Sequence, residues 1–359
     1  MIDFLARAFG TARGDESGPK RINLALQGGG AHGAFTWGVL EHLLEDGRLA
    51  VQGISGTSAG AVNAVMLADG LRTGPDEARK RLSDFWKAAS LGGDLPPLQR
   101  AVLNRIFSLL PSEGSPGFDW LNAWSKYLSP YDVNPLNINP LKDLIERFVD
   151  FEKLRADPRA LFIAATNVQT GRLHIFPREK ISAEAVMASA CLPAVFRAVE
   201  IDGVPYWDGG YLGNPVLFPF FRATATEDVL IVQINPLVRK KVPHSTREIV
   251  ARVNEITFNS ALMAELRAIE FVNRLIEQGR VPHGTGPNEY RRIRVHRIVL
   301  EGLGERISSS SKLRNDLESF ELLRKLGHRA ARRFLDGHYA DIGVRSSIDL
   351  KAEVAAERG

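Results

Sequence analysis

Residues 54–64 read Ile54-Ser55-Gly56-Thr57-Ser58-Ala59-Gly60-Ala61-Val62-Asn63-Ala64. An apolar strand end runs through G-x-S-x-G into the start of an alanine-rich helix. This spacing has the form of a nucleophile elbow, which holds a serine on a tight strand-to-helix turn. Gly56 and Gly60 let neighbouring backbone come close, as a Cβ would not. Ser58 is left at the N-terminus of a helix, where unpaired N–H groups and the dipole favour developing negative charge. The five-residue pattern is common by itself, so its flanks decide its meaning.

Upstream, Arg21 to Gln27 reads as a short strand ending in Gly28-Gly29-Gly30-Ala31-His32-Gly33. Helical spacing follows from Ala34 to Leu44 (Phe35, Val39, Leu40, Leu43, Leu44), then a strand over Val51 to Ser55 and a helix over Ala59 to Ala68. Strand, glycine loop, helix, strand, elbow, helix predicts an α/β fold with a mostly parallel central sheet and helices on both faces. The glycine run has three readings: a dinucleotide or phosphate loop, a plain turn, or an oxyanion hole. It meets G-x-G-x-x-G spacing, but no ribose-binding acid stands about 20 residues on and the P-loop lysine is missing. As an oxyanion hole its successive glycines would present N–H donors unobstructed, each worth about 3–4 kcal/mol to a tetrahedral intermediate.

Downstream, Asp76 to Ser90 and Leu141 to Phe148 read as helices. Residues 91–140 mix Gly and Pro with large apolar groups, which suggests a helical insertion serving as a lid, an acyl-binding wall or extra core. Leu161 to Thr166 and Val229 to Asn235 read as buried strands, with Leu173 to Phe176 a hairpin partner to the first. Ala183 to Ser189 reads as a short helix and Ser245 to Glu277 as a long one. Arg291 to Leu300 resembles an edge strand and Leu313 to Leu335 a basic amphipathic helix. The domain reading is a tail (1–20), a core (21–217), and a continuation of the sheet with a C-terminal helical extension (218–359).

The 359 residues carry a formal charge of +4, 44% hydrophobic and 25% charged residues. These are globular values, and the near balance of 46 basic and 42 acidic residues argues against a nucleic-acid partner. One cysteine, Cys191, excludes an internal disulfide and points to a reducing, cytoplasmic setting. The first 20 residues fit no signal peptide, and no window is apolar enough to span a membrane. Met1 to Arg13 reads as a frayed terminus, with a short interfacial helix as the alternative.

A third feature is Val204-Pro205-Tyr206-Trp207-Asp208-Gly209-Gly210-Tyr211. Asp-Gly-Gly alone is usually a turn; beside a serine elbow and a glycine loop it is a candidate partner for Ser58. The glycine loop, G-x-S-x-G and D-G-G, in this order, resemble the patatin-like phospholipases, a family of Ser–Asp dyad acyl hydrolases. Ala188-Ser189-Ala190-Cys191-Leu192-Pro193 and Gly213-Asn214-Pro215 add to the likeness, which spans Ile22 to Pro215. Many members carry Arg or Lys in the glycine loop where this chain has His32.

The resemblance implies a lipid acyl hydrolase of phospholipase A type. Ser58 would be the nucleophile and Asp208 the base, with the backbone of Gly28, Gly29, Gly30, Ala31, His32 and Gly33 as oxyanion hole. Gly56, Gly60, Gly209 and Gly210 would support the motifs, with no metal and no cofactor. A triad would need a histidine after the acid. His244, His283, His296, His328 and His338 all read better as surface residues, with His283, in a glycine-containing loop, the strongest exception. The rivals are an esterase or thioesterase of short acyl chains, a non-catalytic lipid-binding protein, and a nucleotide binder. The basic helix near 312–333 reads as packed on the core, with peripheral contact to an anionic inner-membrane surface as the alternative. Oligomerisation stays open.

Overall fold

The computed structural model describes residues 18–90, 131, 139–193, 196–239, 241–301 and 316–355. Residues 1–17 of the N-terminal tail with its candidate interfacial helix, nearly all of the 91–140 insertion, and the start of the basic helix lie outside the described residues.

In chain order the elements are β1 (Lys20–Leu26), α1 (Gly33–Asp46), β2 (Leu49–Gly56), α2 (Ala59–Leu71), α3 (Pro75–Ala88), α4 (Pro140–Phe148), α5 (Phe151–Arg155), β3 (Ala160–Asn167), β4 (Arg172–Pro177) and α6 (Ala183–Ser189). They continue with β5 (Val199–Ile201), β6 (Val204–Asp208), α7 (Phe220–Ala223), β7 (Asp228–Gln233), α8 (Thr246–Glu277), β8 (Arg294–Val299), α9 (Leu317–His338) and α10 (Leu350–Ala355). One sheet carries them in the order β5-β6-β3-β2-β1-β7-β8, with β4 paired to β3. The pairs from β3 through β2, β1 and β7 to β8 are parallel. The hairpin partners β4, β6 and β5 are antiparallel.

Both faces of this sheet are covered. Leu24 and Leu26 of β1 join Leu230 and Val232 of β7 in a core with α1, α2, α3 and α9. The intervening Ala25, with Val229 and Ile231, faces a second core built on Leu262, Leu266 and Ile269 of α8. This is the two-residue side-chain alternation of a strand, here apolar on both sides as a buried parallel sheet requires. The long helix α8 starts where Ser245 and Glu248 form a reciprocal capping box.

The amphipathic character of α9 is largely spent on the core: Phe320, Leu323, Ala330, Ala331, Phe334 and Leu335 are buried, while Lys325, Arg329, Arg332 and Arg333 face water. Its backbone lies almost on that of α1. A Cβ on Gly38 would fall 1.9 Å from the Arg324 carbonyl oxygen, and one on Gly327 2.0 Å from that of Phe35. No helix among the described residues is long and apolar enough to cross a membrane.

Candidate active site

The elbow sits where β2 ends. Ser58 has φ 54° and ψ −123°, a left-handed conformation that costs a non-glycine residue about 1–3 kcal/mol and persists only where the surroundings impose it. They do. Thr57 donates its N–H to the Leu26 carbonyl and its hydroxyl to that of Gly213 at 2.7 Å. The Ser58 N–H donates to Ser189 Oγ at 2.9 Å. Both motif glycines are steric necessities: a Cβ on Gly56 would meet the Gly60 carbonyl at 2.4 Å, and one on Gly60 the Leu26 carbonyl at 2.1 Å.

Strand register delivers Asp208 to the same place. Along one edge β3 pairs first with β2, ending at Gly56 opposite Ile163, and then with β6, where Asp208 stands opposite Ala165. The end of β2 and Asp208 are thus two residues apart along β3, about 7 Å. The Asp208 N–H donates to the Cys191 carbonyl at 2.8 Å, and the Thr166 hydroxyl to the Asp208 carbonyl at 2.8 Å. Gly209 must lack a Cβ because the Ala164 carbonyl would lie 2.2 Å from it.

Asp208 is completely buried. Burial pushes its carboxyl up to about 7, against the opposing pull of the Gly210 N–H and the Ser58 hydroxyl. Oδ1 accepts the Gly210 N–H at 2.7 Å. Oδ2 is buried with no aligned hydrogen bond, so the Ser58 hydroxyl acts on this carboxyl from nearby without closing a full bond to it. A buried carboxylate with a free oxygen and a pKa near neutrality has the properties of a general base. The same surroundings silence the nearest thiol: burial, then the Asp208 charge, pushes Cys191 up to about 12.

The glycine loop abuts the elbow. A Cβ on Gly28 would lie 2.6 Å from Ser58 Cβ, and one on Gly29 2.8 Å from Ile234 Cδ1. The loop does not offer six equivalent donors, however. Gly28 gives its N–H to Asn214 Oδ1 at 2.6 Å and His32 gives its own to the Gly29 carbonyl. The Gly33 N–H folds back on Gly30 and Ala31. Gly29, Gly30 and Ala31 are buried, and their N–H groups have no acceptor among the described residues. Orphaned buried N–H groups are rare and call for a partner. His32 supplies no charge at this loop, because burial pushes it down to about 4 and keeps the ring neutral.

Several supporting residues carried no readable signal in the sequence. Gln27 accepts the N–H groups of Ile234 and Asn235 at 2.8 Å each and donates to Asn259 Oδ1 at 2.9 Å. Asn235 donates to the Gly28 carbonyl at 2.7 Å. These buried amides lock the loop from below, but isolated Asn and Gln in a chain look like surface residues. Ser189 and Asn214 stood in quoted motifs, yet their bonds to Ser58 and Gly28 needed coordinates.

Among the histidines one expectation fails. His296 is not at the surface: it is fully buried, with Nε2 3.0 Å from Asp228 Oδ1. Asp228, which also receives Arg294 and the Gly343 N–H, is the one hydrogen-bond partner of this buried ring among the described residues. His283 pairs with Glu227, His328 with Glu45 and His338 with Asp341.

Among solved structures the chain is similar to VipD from Legionella pneumophila, at 16% identity and TM-score 0.41, over 89% of this chain and 67% of that one. It is also similar to a chain of the heterodimeric ExoU–SpcU complex from the type III secretion system of Pseudomonas aeruginosa. There the identity is 22% and the TM-score 0.30, over 68% of this chain and about half (51%) of the other. No curated protein matches the chain significantly. Residues 24–221 match the model of the patatin-like phospholipases; the chain belongs to that family, a family of lipid acyl hydrolases.

Proposed function

We propose that the protein is a serine acyl-ester hydrolase of phospholipase A type working through a Ser58–Asp208 dyad. The observation that carries this reading is the juxtaposition of a strained, elbow-borne Ser58 with a fully buried Asp208 whose Oδ2 lacks an aligned partner. Ser58 Oγ attacks the ester carbonyl carbon as its proton passes to Asp208. The N–H groups of Gly29, Gly30 and Ala31 receive the oxyanion. Collapse returns the proton to the leaving alcohol and leaves an acyl group on Ser58. Water then attacks the acyl-enzyme, again giving its proton to Asp208, and the fatty acid departs as Ser58 recovers its hydrogen. The acceptor-less buried donors support this assignment, and with His32 neutral the stabilisation rests on backbone N–H groups.

The test is hydrolysis of p-nitrophenyl esters of graded chain length and of phospholipid vesicles. Wild type should turn over both and take up a fluorophosphonate on Ser58, while S58A and D208A should do neither yet remain folded. Turnover retained in either variant overturns the dyad. Hydrolysis confined to short chains or thioesters would move the substrate class and leave the dyad standing.

A further inference from the structure

Far along α1 from the glycine loop, three metal-binding side chains meet outside any catalytic role. His42 and Glu45 lie one turn apart on α1, so they share a face; His328 reaches them from α9. Their nearest ligand atoms all lie within 4.8 Å of one another. Glu45 Oε2 stands 2.7 Å from His328 Nε2 and 3.9 Å from His42 Nδ1. The two imidazoles meet edge-on with centroids 4.5 Å apart. His42 Nδ1 is buried and makes no hydrogen bond.

We propose that His42, Glu45 and His328 form a binding site for a divalent transition-metal ion, Zn²⁺ above all, which clips the C-terminal helix α9 to α1. Two imidazole nitrogens and one carboxylate oxygen are the donor set of borderline ions rather than of Mg²⁺ or Ca²⁺. Zn–N and Zn–O bonds of about 2.0–2.1 Å give tetrahedral ligand separations of about 3.3 Å, and the two distances from Glu45 Oε2, 2.7 Å and 3.9 Å, bracket that value.

The scaffold is suited to hold it. Gly38 and Gly327, one turn and one residue away from His42 and His328, let the two helix backbones touch. Arg324 bridges to Glu41 at 2.7 Å beside them. Arg79 holds Glu45 Oε1 at 2.7 Å, which leaves Oε2 turned to the histidines and supplies the outer contact that orients a ligating carboxylate. His328 and Glu45 are each about one-third exposed, so an ion can enter and water can complete its shell.

The experiment uses the full chain, freed of metal by chelation, with Zn²⁺ alone as titrant in calorimetry and Co²⁺ alone as optical probe. The expected result is one ion per chain, the visible absorption of tetrahedral Co²⁺, and a Tm raised by Zn²⁺. H42A and H328Q should each weaken binding at least tenfold and lose the Co²⁺ band. Two variants guard against mere misfolding, because H328Q keeps the shape of the helix contact. Absence of binding, or binding unchanged in a folded H328Q, overturns the site. Ester hydrolysis by Ser58 should survive metal removal at 25 °C, which separates this outcome from any failure of the dyad.

Discussion

Asn214 grips the peptide of Gly28 on both sides, accepting its N–H through Oδ1 at 2.6 Å and donating Nδ2 to its carbonyl at 3.3 Å. The two bonds hold the successive peptide units on either side of the Gly28 Cα where the chain enters the glycine loop, and they withdraw one donor from it. N214A should lower kcat by about tenfold or more with little change in KM, since a misplaced donor costs transition-state stabilisation and not ground-state binding. N214D sharpens the test, because it keeps an acceptor for Gly28 but sets a charge beside the developing oxyanion. Its kcat should fall below that of N214A; steady-state kinetics giving the opposite order would dismiss the oxyanion role of the loop.

Under the proposed dyad, the ionisation of Asp208 sets a pH profile. With its carboxyl pushed up to about 7 by burial, the base is increasingly ionised up to that pH. The kcat/KM for a p-nitrophenyl ester should therefore rise about tenfold per pH unit below 7 and level off above it. A profile flat from pH 5 to 8 would mean that another group takes the proton from Ser58.

The same carboxyl makes the site a burden on the fold. Its folded pKa lies above the ordinary value of about 3.9, so the folded state binds more protons than the unfolded one between about pH 4 and 7, and stability falls across that window. Three pKa units set a ceiling of about 4 kcal/mol. D208N removes the cost. It should be inactive yet melt higher than wild type at pH 8, with the two Tm values converging near pH 4. A D208N protein less stable than wild type at pH 8 would contradict the buried-charge account.

Much of this was legible in the chain. The helix over Ser245 to Glu277 was readable from its apolar period, β1 and β2 because glycines bracket short apolar runs, and β3 and β7 because their apolar runs are nearly continuous. The hairpin β5–β6 was not, since each strand is short and Pro205 stands inside one. Its Asp202-Gly203 turn, with φ of 51° and 75°, is the kind of two-residue link that joins such strands. Yet that hairpin is what sets Asp208 opposite Ala165. Motif order pointed to Ser58 and Asp208 because glycine spacing survives in one dimension. It could not tell which N–H groups of residues 28–33 are spent, because their acceptors arrive from positions 214 and 29 through the fold. His296 was misjudged for the same reason: Asp228 becomes its neighbour only when β7 pairs with β8.

Gly28 tests how tightly loop and nucleophile are packed. A methyl there would press on the Thr57 carbonyl at 2.5 Å and on Ser58 Cβ at 2.6 Å, neither of which can yield without moving the elbow. G28A should retain helical content by circular dichroism and lose about a hundredfold in kcat/KM, the scale expected for a displacement near 1 Å at a reacting group. Wild-type turnover in G28A would show that the loop and Ser58 are not in this register.

The joint between α1 and α9 rests on Gly38 and Gly327, whose added methyls would strike the main-chain carbonyls of Arg324 and Phe35. Backbone atoms cannot rotate aside as a side chain does, so the helices must part, and the buried Phe320, Leu323 and Phe334 lose packing against the core. G38A and G327A should each cost about 3 kcal/mol or more, at the upper end for overpacked sites. The double variant should cost clearly less than the sum, because one separation of the helices relieves both clashes. Urea unfolding of the three variants measures this directly. Additive losses would mean that the two glycines guard separate contacts, and that α9 is not docked on α1 as a single rigid seam.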